Sequence, residues 1–130
     1  PPPPPPSRRR QYKFCQVFYP TRGIKQETLL ESCGLADLVT TCFGGRNRKC
    51  AEIYTKNIVA KTPKEWSVIE AEELNGQKLQ GTGTCEDVFK AIKAKDQQAE
   101  FPLFCKIYEI AFEGKDPKTL LDVGKTNKYY

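Results

Sequence analysis

Residues Glu31–Glu52 read ESCGLADLVTTCFGGRNRKCAE. Leu35–Cys42 is an apolar stretch with one acid, Asp37, inside it. Leu29, Leu30 and Cys33 precede it at helical spacing, interrupted by Gly34. Phe43 then leads into Gly44-Gly45, a clear break. Beyond the break Cys50, Ala51 and Tyr54 fall on one face of a further helix, with Asn47 as its expected N-cap. Helical periodicity on both sides of a diglycine predicts an all-α arrangement.

The flanks extend that reading. Thr28 and Glu31 have capping-box spacing, so a helix is expected to open there. Upstream, Tyr12, Phe14, Cys15, Val17, Phe18 and Tyr19 form a dense run ending at Pro20–Gly23. It reads as the last turns of a buried helix, although a short strand fits the pattern too. Downstream, Thr62-Pro63-Lys64-Glu65 combines an N-cap, a proline at the first helical position and a box glutamate. A helix from there to Leu74 is expected, stopped by Asn75-Gly76. Residues 75–83, NGQKLQGTG, read as a loop, and Thr84–Asp87 as the cap of a helix burying Val88, Phe89 and Ile92. Pro102 opens a longer helix with a stripe of Phe104, Ile107, Tyr108 and Ala111, widened by Leu103 and Ile110, until Gly114. Residues 117–123 form a short terminal helix. There is no second alternating strand and no internal repeat. The expected organisation is a disordered Pro/Arg tail over 1–10, a helical domain over 11–123 with about six helices, and a frayed tail over 124–130.

Composition narrows the chemistry. A chain of 130 residues buries one core. Net charge is +5, but Arg8, Arg9 and Arg10 carry three of the 21 basic groups. From residue 11 onward 18 basic groups face 16 acidic ones, so nothing calls for nucleic acid or an anionic membrane. No apolar run approaches a membrane span. The absence of histidine excludes Ser-His-Asp and Cys-His nucleophilic machinery and any histidine-bearing metal site, and no metal site is expected. The chain has no methionine, which fits a piece of a longer protein. Its six cysteines lack any C-x-x-C spacing and are expected to be reduced, mostly buried thiols of a cytoplasmic protein. Pro3–Arg8 also matches P-x-x-P-x-R, a ligand pattern for an aromatic groove; such matches arise by chance in a proline run.

Three features could carry a site. Gly44-Gly45 followed by Arg46, Asn47, Arg48 and Lys49 sets a guanidinium, an amide and free N–H groups at a helix start, a competent phosphate site. A structural loop with solvated charges has the same composition. Asp37 and Thr41 stand four apart on one helical face. A buried acid there needs a cation from elsewhere, which a plain structural ion pair would also supply. Gln77, Lys78 and Gln80 lie between glycines, as in a mobile flap over a phosphate-bearing ligand or in an ordinary solvated connection.

Taken together, GLADLVTTCFGGRNRK and LNGQKLQG resemble the C-terminal domain of eukaryotic cytosolic NAD-dependent glycerol-3-phosphate dehydrogenases. FPLFCKIYEIAFEG resembles that family's last long helix and KFCQVFYP its lead-in, so the resemblance covers roughly residues 12–123. It implies an all-α bundle similar to the C-terminal-like domain of 6-phosphogluconate dehydrogenase, without the Rossmann domain that precedes it in the family. It implies hydride transfer between NAD and glycerol 3-phosphate, giving dihydroxyacetone phosphate. By resemblance Arg46 and Asn47 hold the substrate phosphate, Asp37 and Thr41 flank the substrate and orient the proton-transfer group, and Arg46, Lys78 and Gln80 reach the cofactor. The sequence departs from the family in two ways. It contains no G-x-G-x-x-G, and no lysine matches the family's catalytic lysine, whose region is replaced by PPPPPPSRRR. The expectation is a fragment or splice form inactive alone, with a small phosphorylated substrate and a homodimer or a full-length subunit as partners. A non-catalytic helical domain that binds a phosphometabolite or pairs with a subunit is the alternative.

Overall fold

The computed structural model describes residues 6–126. Among them are seven α-helices and no strand: α1 (Pro6–Phe18), α2 (Asp37–Gly44), α3 (Arg46–Val59), α4 (Trp66–Glu73), α5 (Gln80–Ala94), α6 (Pro102–Phe112) and α7 (Val123–Thr126). The all-α expectation holds.

Several boundaries move. α1 takes in the last five residues of the expected tail, because Pro6 can occupy a first helical turn and Arg and Gln are good helix formers. Arg9 and Arg10 are half-buried rather than fully in water. The Pro6–Arg8 part of the P-x-x-P-x-R match is helical, which removes the extended geometry that docking requires; Pro1–Pro5 lie outside the described residues. Thr28 opens no α-helix. Glu27–Leu30 is a 3-10 turn without a side-chain cap, and Ser32–Ala36 is one π-helical turn. Thr62 closes α3 instead of opening α4: its N–H donates to the Asn57 carbonyl at 2.9 Å, after a left-handed Lys61 at φ 59°. α4 therefore begins at Trp66, capped by the extended Glu65. The loop after α4 is also shorter than expected, because Gln80–Gly83 are already helical. Asn75 and Gly76 make the left-handed turn at φ 48° and 81°. At the other end, 3-10 winding over Pro117–Asp122 leads into α7, so helical structure runs to Thr126 and replaces the start of the expected frayed tail. Residues 127–130 lie outside the described residues.

Two small cores hold the helices. The first gathers Cys50 from α3, Ile69 from α4, and Leu74 and Leu79 from either end of the loop between α4 and α5, with Ile53, Tyr54 and Trp66 against them. The second gathers Ile92 from α5 with Phe101 and Cys105 at the start of α6, and Phe14, Val17 and Phe18 of α1 cover it. The Phe14 and Phe18 rings stack at 4.4 Å, and Phe14 meets Phe101 edge-on at 5.7 Å. An ion pair from Lys13 to Glu100 closes the rim of this core. The expected run of apolar α1 residues thus packs as the end of a helix, not as a strand.

The two cores meet through α6. Tyr54 and Trp66 stack nearly parallel, with ring centres 4.1 Å apart. The Tyr54 hydroxyl donates to the Ile110 carbonyl at 3.0 Å and the Trp66 Nε1–H to the Ala111 carbonyl at 2.8 Å. Both acceptors lie in the last turn of α6, where carbonyls have no helical partner. The aromatic pair therefore caps α6 from outside.

α2 is open along its sides: none of its residues is buried, and Val39 and Phe43 are 49% and 76% exposed. The thiols also differ from expectation. All six are unpaired, but only Cys50 and Cys105 are buried, while Cys33 and Cys42 are exposed. Burial pushes the Cys50, Cys85 and Cys105 thiols above the usual range. Because the thiolate is the reactive form, iodoacetamide should label Cys33 and Cys42 first in the native chain. Cys50 and Cys105 should follow only on unfolding, a rank order read by peptide mass mapping.

Candidate functional site

Gly45 decides where the site sits. Its extended backbone (φ −74°, ψ 154°) ends α2 and caps α3. A β-carbon there would lie 2.8 Å from the Thr41 carbonyl oxygen. The two helices consequently meet almost without a linker, and the first turn of α3 presents Arg46, Asn47, Arg48 and Lys49. Free N–H groups and the positive helix end face the same space.

The four side chains have different duties. Arg48 donates to the Phe43 carbonyl at 2.5 Å, and Lys49 pairs with the Glu73 carboxylate at 3.0 Å; both tie α3 to its surroundings. Arg46 is exposed and reaches across to the loop before α5. Its Nη1 donates to Gln77 Oε1 at 3.3 Å and to the Lys78 carbonyl at 3.4 Å. Both bonds are long, so a phosphate offering a bidentate, charge-assisted pair would displace them. Asn47 is not the N-cap of α3. Its Oδ1 accepts the Gly81 N–H at 3.1 Å and so caps α5 across 34 positions of sequence. A β-carbon on Gly81 would stand 2.5 Å from that oxygen, so glycine is what lets the two approach.

Lys78 is 82% exposed and its Nζ lies 3.4 Å from Glu70. Gln80 opens α5 and lines a groove of about 510 Å³ that Asn47 also lines. Arg46, Asn47, Lys78 and Gln80 are thus brought together, joined by Gln77, whose contact with Arg46 nothing in the local sequence signals.

Asp37 and Thr41 do not join this group by direct contact. Both are exposed, contrary to the expected buried acid, and among the described residues no cation pairs with Asp37. The Thr41 hydroxyl donates to the Asp37 and Leu38 carbonyls at 2.8 and 3.2 Å, within its own helix. Its link to the site is the Gly45 N–H, which donates to the Thr41 carbonyl at 3.2 Å. The reason is α2 itself, which packs on its neighbours at its ends and leaves its sides open.

The arrangement can bind an anion at the start of α3 and fold a short loop against it. Residues 10–122 match the family described as NAD-dependent glycerol-3-phosphate dehydrogenase C-terminus. A cytoplasmic glycerol-3-phosphate dehydrogenase [NAD(+)] of Drosophila kanekoi is 47% identical over 110 residues, covering 85% of this chain and 29% of that protein. A glycerol-3-phosphate dehydrogenase 1-like protein of Danio rerio is 44% identical over 108 residues, covering 83% and 29%. Among solved structures, a Plasmodium falciparum glycerol-3-phosphate dehydrogenase superposes with a TM-score of 0.83 at 40% identity, over 95% of this chain and 33% of that one. A structure titled DsGPDH of Dunaliella salina superposes with a TM-score of 0.84 at 36% identity, over 90% and 22%. The chain spans under a third of the curated relatives it matches.

Proposed function

Since this chain belongs to the family of NAD-dependent glycerol-3-phosphate dehydrogenase C-terminal domains, we propose that it is the substrate-side domain of a cytoplasmic enzyme of that kind. The enzyme would interconvert glycerol 3-phosphate and dihydroxyacetone phosphate by hydride transfer. The observation that carries this reading is the convergence of Arg46 and Asn47, at the start of α3, with residues 77–81.

In this reading the phosphate sits between the Arg46 guanidinium and the amide N–H₂ of Asn47. The Asn47 carbonyl oxygen is already held by Gly81, which leaves its N–H₂ end for the anion. Arg46 exchanges its long bonds to the loop for short charged ones. The released loop is then free to lie over the ligand. Asp37 and Thr41 stand on α2 one helix away, and in the assembled enzyme they flank the substrate.

The fit to NAD is partial. Arg46, Lys78 and Gln80 can touch the dinucleotide from one side, but the chain has no G-x-G-x-x-G turn to hold its pyrophosphate. NAD, when bound, accepts or returns the hydride at C2. This domain's own residues bind the phosphate end and close over it. The open flanks of α2, with Val39 and Phe43 exposed, favour cover by a second subunit or by the rest of the enzyme.

The test is a titration of the chain with glycerol 3-phosphate, followed by amide NMR shifts. Arg46→Ala should weaken binding by roughly 10- to 100-fold, the worth of a charge-assisted pair. Equal affinity in the two proteins removes Arg46 from the site.

A further inference from the structure

The run Thr62-Pro63-Lys64-Glu65 belongs to neither of the helices beside it. Residues 60–65 join α3 to α4 without helical structure. Residues 59–63 are exposed one after another, Val59 by 66%. Proline drives the residue before it out of the helical region, so Thr62 is held extended. The Thr62 hydroxyl is weakly engaged. It reaches the carbonyl and the Oδ1 of Asn57, both at 3.5 Å, the outer limit of a hydrogen bond. The hydroxyls of Thr41, Thr84 and Thr119 instead donate to nearby carbonyls at 2.8, 3.1 and 2.7 Å. Thr62-Pro63 is also the one place in the chain where a serine or threonine precedes proline.

We propose that Thr62 is a phosphorylation site for a proline-directed serine/threonine kinase, and that its phosphate loosens the end of α3. Such a kinase takes its substrate as an extended segment and selects proline next, a residue with no N–H to leave unpaired. The step is phosphoryl transfer from Mg-ATP. The Thr62 Oγ bonds to the γ-phosphorus, the bond from that phosphorus to ADP breaks, and the hydroxyl proton passes to the kinase's base.

The consequence follows from what surrounds the oxygen. Both of its neighbours on Asn57 are acceptors, and the Asn57 amide N–H₂ is turned to the Ile53 carbonyl at 3.0 Å. A phosphate dianion has no proton to donate to them, and it adds negative charge at the carbonyl end of a helix. The side chain must swing outward, towards the exposed Lys61 beside it. The bonds that close α3, from the Ala60, Lys61 and Thr62 N–H groups to the Lys56, Ile58 and Asn57 carbonyls, should then weaken. Thr62 lies at the opposite end of α3 from Arg46, so this proposal stands apart from the anion-binding reading.

The experiment incubates the whole 130-residue chain with a proline-directed kinase and Mg-ATP and maps phosphate by peptide mass. A single phosphate is expected, on Thr62. Pro63→Ala keeps the hydroxyl and an exposed loop, and should slow incorporation at least tenfold. Thr62→Val should abolish it. A kinase that reads upstream arginines should leave Thr62 unmarked. In the phosphorylated chain, amide hydrogen exchange at residues 60–62 should quicken roughly two- to fivefold, the reach of a charge at a helix end, while α5 and α6 keep their rates. A synthetic peptide of residues 57–67 that is marked while the chain is not would mean that the fold shields Thr62, and overturns the proposal. So does a peptide that is not marked at all. Equal marking by both kinases, or by the Pro63→Ala chain, would reduce Thr62 to a merely accessible hydroxyl and overturn it too. Unchanged exchange at residues 60–62 overturns the coupling to α3.

Discussion

Incubated with glycerol 3-phosphate and NAD, the isolated chain is expected to form no NADH above the uncatalysed background. Hydride transfer needs the donor carbon and the nicotinamide held about 3–3.5 Å apart, and such positioning supplies roughly 7–11 kcal/mol of a catalysed barrier. One side of a dinucleotide site cannot provide it. The C2 oxygen also needs a positive group where its charge develops. Of the cations near the site, Lys49 is held by Glu73, Lys78 faces Glu70, and Arg46 is the phosphate ligand in this reading. Asp37 is a poor substitute, since a carboxylate repels a developing alkoxide. The assay is absorbance of NADH at high protein concentration, repeated after mixing with the part of the Drosophila kanekoi relative that lies outside the matched segment. Turnover by the chain alone would show that its 130 residues hold a complete active site. Turnover on mixing only would locate the missing groups in the added part.

The largest stability effect is expected at Gly34. It is the one buried residue of the π-helical turn. A β-carbon there would lie 2.8 Å from both the α-carbon and the carbonyl carbon of Leu29, and nearer still to the carbonyl oxygen. The obstacle is backbone, so no side-chain rotation relieves it. Gly34→Ala should cost at least about 3 kcal/mol and lower the melting midpoint by on the order of 10 °C. Gly44→Ala is the control, because nothing lies within 4 Å of the added carbon. It should be neutral or slightly stabilising. The same melting temperature for both variants would mean that the segment before α2 gives way freely, and that Gly34 is not what packs it.

Signals confined to one turn were legible in the sequence. The Gly44-Gly45 break, Pro102 at the head of α6, and the buried stripe of α5 ending in Ile92 all stand where the pattern put them. Signals that depend on which partner a group chooses were not. Thr28 and Thr62 have the right spacing to cap a helix on their C-terminal side, yet one lies inside a 3-10 turn and the other closes the helix before it. A hydroxyl four or five positions from several free backbone groups has more than one use, and packing selects among them. Asn47 is the clearest case: its expected role was local, and its actual partner is a glycine on another helix. The cluster of Arg46, Asn47, Lys78 and Gln80 could be named from motif resemblance. The part played by Gln77 and Gly81 required the fold. The burial expected of Asp37 fails because an apolar run need not be a covered one: α2 is apolar without being covered.

The aromatic clasp on α6 gives the molecule its own optical gauge. Trp66 is the only indole in the chain, and it stands where α4 meets the last turn of α6. Its emission therefore reports one joint, whereas circular dichroism averages over every helix. Tyrosine emission is quenched by energy transfer when the rings are stacked, and it returns when they part. A ligand that loosened or tightened the seam between the two cores would be visible as a colour change at a single residue, without any label being attached.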